Sequence, residues 1–255
     1  MHPQQVLEEG PGSETGALYA KVARELEAVA ADLIVFFDSD HFVNFFFDNM
    51  PAFCIGIVDQ AEGTDEDRVQ MPWYTVRVHE AFARALLGFA LEREFDVASK
   101  EEMSLDHSIL VPLHFLTPRM HVPIVPVYIR GLAAPLPLAR RCLALGRMVR
   151  EFIDRWPGSE RVAVLASGSF SLEVGGPRMG RTDHDWQATV VELLRADRID
   201  ELVRHATTDR MLSAGNVSGE LLNWIALAGA LGGGKPLFVE QQTGHAYAVW
   251  RPEQG

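Results

Sequence analysis

Cysteine is scarce in this 255-residue chain: Cys54 and Cys142 stand far apart, each in an apolar neighbourhood. That excludes a disulfide framework and predicts two buried free thiols, as suits a reducing cytoplasm. No apolar run reaches the roughly 18 residues needed to read as a membrane span, and the opening "MHPQQVLEEGPGSE" does not have the pattern of a signal peptide. A cytoplasmic protein is therefore expected. Positive charge is also in short supply. Against 35 Asp and Glu there are 23 Lys and Arg, a net charge of −12, which argues against a nucleic-acid-binding surface. No CxxC or HExxH occurs, so a compact zinc site is excluded. Repeats and low-complexity stretches are missing too. With 47% hydrophobic and 23% charged residues, the composition is that of a globular chain.

The hydrophobic pattern predicts a helix over 15–31, a strand over 33–37 and a second strand over 53–58. Residues 59–72, "DQAEGTDEDRVQMP", read as a polar loop. A helix is predicted over 76–92, and "DHSILVPLHFL" reads as a helix or an extended segment. Buried strands are predicted over 122–129 and 161–169. An amphipathic helix follows in "PLARRCLALGRMVREFIDRW", and residues 184–205 are predicted helical. Residues 218–233, "SGELLNWIALAGALGG", are apolar nearly all round and so predict a buried helix. Continuous apolar strands separated by helices describe a largely buried sheet covered on both faces. Ligands of such folds gather at the carboxyl ends of strands. "DSDH" and "SGSFSLEVGGPR" each follow a predicted strand. The chain opens with a loop and helix, with no strand ahead of them.

Acids and a histidine at a strand mouth, followed by Phe42, Phe45, Phe46 and Phe47, are an unusual combination. Two histidines and one carboxylate drawn from separate elements can hold Fe(II) with open positions. Composition alone does not choose the members among nine histidines. Most of the four rings are expected to pack in the core, with some left to wall an aromatic-ring site.

"DSDHFVNFFFDNMPAFCIGI", "LDHSILVPLHFL", "VPIVPVYIRGLAAPLPLARRCLALGRMV", "ASGSFSLEVGGPRMG" and "GNVSGELLNWIALAGAL" follow one another in the order of the class III extradiol ring-cleavage dioxygenases. The chain resembles that family from about residue 20 to 233, and the shared order carries the likeness. The resemblance implies a single α/β domain over 1–255, with a central mixed sheet flanked by helices and without the family's first strand. It also implies a non-heme Fe(II) enzyme that opens a catechol-type ring with O2. Its partners would be a small aromatic substrate and either further copies of itself or a small dioxygenase subunit.

Carried over by position, His41 and Glu220 resemble two iron ligands, and His107 a histidine that meets substrate or dioxygen. Asp40 and Asp106 would support the ligands, while Phe42, Phe46 and Arg178 would meet the substrate. Two departures stand out. The family's first iron-ligand histidine would fall ahead of Met1, so it either lies upstream or is missing; His2 falls too late to match it, and His2 or His245 could stand in. The family's acid/base histidine is replaced by Leu172, a side chain unable to exchange a proton.

Overall fold

The computed structural model describes residues 10, 12–64, 66 and 71–251, so His2 lies outside the described residues. The chain runs α1 (Glu14–Val29), β1 (Leu33–Asp38), β2 (Phe53–Gly56), β3 (Gln60–Gly63), β4 (Tyr74–Arg77), α2 (Glu80–Glu92) and β5 (Ala98–Lys100). Then come α3 (His107–Leu116), β6 (Ile124–Ile129), α4 (Ala139–Arg155), β7 (Val162–Ala166), α5 (His184–Arg195), α6 (Ile199–His205) and α7 (Thr208–Ala214). A 3₁₀ turn (Ser218–Glu220) leads into α8 (Leu221–Leu231), and the hairpin β8 (Phe238–Gln242) and β9 (His245–Val249) follows.

Five strands form the central sheet in the order β5-β2-β6-β1-β7. β1 runs parallel to both β6 and β7, whereas β2 is antiparallel to β6 and parallel to β5. The sheet is therefore mixed. Every residue of β1 is buried, because alternate side chains enter two different cores. Leu33, Val35 and Phe37 meet one layer with α2, α4, α5 and α8, while Ile34 and Phe36 meet another with α3 and the β3–β4 hairpin. Side chains alternate across a strand, so a strand covered on both faces must be apolar throughout. α8 is buried along nearly its whole length and lies close against α4. A Cβ on Gly146 of α4 would collide with the Ala226 carbonyl.

Several expectations need correction. Part of the segment predicted as a loop over 59–72 is strand β3, paired with β4. Its alternation is carried by small residues, Ala61 and Gly63 pointing inward, so it has little hydrophobic signal. β4 also takes the start of the helix predicted from 76. β7 is half-buried rather than buried because it is an edge strand. The helix predicted over 184–205 breaks in two around Asp197, whose φ of 57° leaves the helical region. β5, α7 and the β8–β9 hairpin were not predicted at all. Both cysteines are free and buried, as expected. Among the described residues, no helix is long and apolar enough to cross a membrane.

Candidate active site

β1, β6 and β7 are parallel neighbours, so their carboxyl ends share one edge of the sheet. The chain leaving β1 carries Asp38, Ser39, Asp40 and His41 over that edge. Glu220 arrives from the turn before α8 and sits between the other two strand ends. A Cβ on Gly131, just after β6, would fall 3.1 Å from the Glu220 nitrogen, and one on Gly168, just after β7, 2.5 Å from Glu220 Cβ. Gly168 also has a φ of 147°, which favours glycine. With that space kept clear, Glu220 Oε2 accepts the Ser169 N–H at 2.7 Å. Glu220 Oε1 lies 3.2 Å from His41 Nε2.

The other edge of the His41 ring faces Asp106. Asp106 Oδ2 accepts the His41 backbone N–H at 2.7 Å and lies 3.3 Å from His41 Nδ1. That second approach is attractive but outside hydrogen-bond geometry, since Nδ1 is buried with no hydrogen-bond partner among the described residues. Asp106 is also the N-cap of α3, accepting the Ser108 N–H at 3.0 Å. The cap thereby brings His107, the next residue, to the same place: the His41 and His107 ring centroids are 4.3 Å apart. His107 Nδ1 lies 2.6 Å from Glu66 Oε1.

Charge in the site is divided unequally. Burial favours a neutral His41, but Asp106 and Glu220 outweigh it and raise the imidazole pKa well above its ordinary value. Burial would raise Asp106 as well, yet His41 and His107 hold it well below the usual carboxylate range. Asp38, with 0% exposure, goes the other way: burial first, then the Asp106 charge, push its pKa far up. The Ser108 hydroxyl lies 2.6 Å from Asp38 Oδ2 and also meets Asp106 Oδ1. One hydroxyl has one proton to give. The two carboxylates therefore compete for the Ser108 proton.

His41 Nε2 and Glu220 Oε1 fit two neighbouring corners of a metal site, because ligands bonded at roughly 2 Å stand roughly 3 Å from each other. Asp106 against the opposite ring nitrogen is the usual support of a ligating histidine. Among the described residues, no set of three or more His, Cys, Asp or Glu side chains converges to hold a metal. His245 does not join the pair: its Nδ1 lies 3.0 Å from the Thr243 carbonyl and its ring packs on Tyr247.

The remaining expected site residues have varied positions. Asp40 does not orient the His41 ring. Its carboxylate accepts the backbone N–H groups of Val43, Asn44 and Phe45 at 2.9–3.2 Å, and so ties down the turn that follows His41. Phe42 lies within that turn at a φ of 63°. The core-packing expectation for the four phenylalanines is overturned. Phe46 is 54% and Phe47 81% exposed, Phe42 pairs with Phe47, and Phe45 packs edge-on to Tyr128. Arg178 lies on an exposed turn, 2.9 Å from Glu173. Leu172 is buried, and its backbone meets Val217 and Ser218 in the segment leading to Glu220. Two contributors were not predicted. Glu66 sits in a polar stretch without a motif, and Ser108 gave no signal beyond following "DH".

The fold is that of an α/β protein with a mixed sheet, and a half-buried histidine stands beside a buried carboxylate at its parallel strand ends. Residues 2–250 match the family described as the catalytic LigB subunit of aromatic ring-opening dioxygenase, and the chain belongs to that family. A 2,3-dihydroxyphenylpropionate/2,3-dihydroxicinnamic acid 1,2-dioxygenase of Photorhabdus laumondii is 35% identical over 165 residues, 64% of this chain and 50% of that protein. A gallate dioxygenase of Pseudomonas putida is 33% identical over 160 residues, 60% of this chain and 46% of that protein. The chain thus spans about half the length of the curated relatives it matches. The crystal structure of an uncharacterized protein from Escherichia coli K12 superposes with a TM-score of 0.56 at 15% identity, covering 90% of this chain and 88% of that one. That likeness is one of fold.

Proposed function

We propose that the chain is a non-heme Fe(II)-dependent extradiol dioxygenase that opens a catechol-type ring with O2. The observation that carries this reading is the 3.2 Å approach of His41 Nε2 to Glu220 Oε1, with the His107 ring beside them. Bound iron would supply Lewis acidity and open positions at which the diol and dioxygen meet. His41 and Glu220 hold it, and Asp106 braces His41 from behind. His107 moves a proton to or from the bound diol. Phe42 and Phe46 flank the substrate ring on the solvent side. Arg178, which lies against Glu173, would meet a carboxylate on the substrate. The protein works as a homo-oligomer or together with a small dioxygenase subunit.

Leu172 favours a second reading, a non-catalytic or altered subunit of a hetero-oligomeric dioxygenase. The test is anaerobic loading with Fe(II), then addition of dioxygen and a simple catechol, followed by the absorbance of the ring-opened product. The proposal expects iron-dependent turnover that His107→Ala lowers by about 10²–10⁴-fold, the usual contribution of a general acid/base. Bound iron with no ring-opened product would support the second reading instead.

A further inference from the structure

Glu66 projects from the stretch between β3 and β4 onto the first residue of α3. Its two carboxylate oxygens are used separately: Oε2 accepts the His107 backbone N–H at 2.7 Å, and Oε1 lies 2.6 Å from His107 Nδ1. An ionised carboxylate only accepts hydrogen bonds, so the proton between Glu66 and the ring belongs to Nδ1. A neutral imidazole carries one N–H, which leaves Nε2 bare. Nε2 has no hydrogen-bond partner among the described residues, while the ring as a whole lies 4.3 Å from that of His41. The Glu66 charge also sits at the amino end of α3, where the helix dipole favours an anion. Both side chains are mostly buried, at 18% and 16% side-chain exposure, so water competes weakly for either.

We infer that Glu66 is a positioning residue for His107: it fixes the imidazole in the Nδ1–H tautomer and holds Nε2 free to take a proton from the substrate. A carboxylate that sets the tautomer of a working histidine is a familiar arrangement, and the wrong tautomer is costly even with the geometry intact. Neither the fold nor the family assignment requires this role. It rests on the proposed ring-cleavage function only for its effect on rate, because the tautomer is a property of the protein without substrate.

The 255-residue chain labelled with ¹⁵N-histidine, examined by long-range proton–nitrogen correlation, reports which nitrogen of neutral His107 carries the proton. His107→Ala assigns the signal. The Nδ1–H form is expected in the unaltered protein, with a change to a mixture or to Nε2–H in Glu66→Ala. Glu66→Gln, which keeps an oxygen acceptor, should restore Nδ1–H. In iron-loaded protein, Glu66→Ala should lower kcat about 10–100-fold, the usual effect of removing such a supporting partner, with KM little changed. An Nε2–H tautomer in the unaltered protein, or a tautomer unmoved in folded Glu66→Ala, would overturn the inference. If the tautomer responds as expected while no variant opens a ring, the functional proposal fails and the positioning role stands.

Discussion

The family resemblance alone sets Leu172 against a proton-exchanging histidine, whereas its surroundings give it a plain structural task. It is buried, and its backbone joins the turn after β7 to the segment that delivers Glu220. A leucine can fill that space without supplying either the base for a diol or the acid for later steps. Leu172→His should therefore raise the turnover of iron-loaded protein by roughly 10²-fold, measured with a simple catechol at saturation. An unchanged rate would mean that His107 already carries both proton transfers. The resemblance singled out His41, His107 and Glu220 in short motifs, and the fold brings these three side chains together. Glu66 was not legible in the sequence, since a carboxylate in a charged loop looks like ordinary solvated surface until the fold sets it against a ring. Asp40 was misread for a related reason: nearness in sequence to His41 suggested contact with the ring, but its carboxylate turns toward the backbone that follows.

The turn after β1 is the element on which the site depends. It carries His41, it places Phe42 in a left-handed conformation unusual for a bulky residue, and Asp40 holds it through three backbone N–H groups and the Asn44 side chain. Such strained residues persist where the surroundings over-determine them. Asp40→Ala would release those half-buried donors, and losing these hydrogen bonds costs about 1–3 kcal/mol. Denaturant unfolding of the variant should show a loss of that size, together with weaker Fe(II) binding as His41 loses its fixed position. A stability equal to that of the unaltered protein would show that the turn holds itself. The strands with continuous apolar runs, β1 and β6, were readable because burial on both faces leaves no other pattern. β3, β5 and the β8–β9 hairpin were not, because short strands with small or polar residues have no such signature.

Across the whole molecule, β1, the turn before α8 and the start of α3 come from distant parts of the chain and meet at one edge of the sheet. The parallel pairing of β1 with β6 and β7 decides this, and periodicity alone does not reveal it. The most direct test is anaerobic Fe(II) titration of the unaltered chain beside His41→Ala and Glu220→Ala. The account predicts that each substitution weakens binding at least roughly tenfold, beyond the small end of what supporting residues contribute, while both variants stay folded by circular dichroism. Equal affinity in all three proteins would contradict it, and would place any iron away from the His41–Glu220 pair.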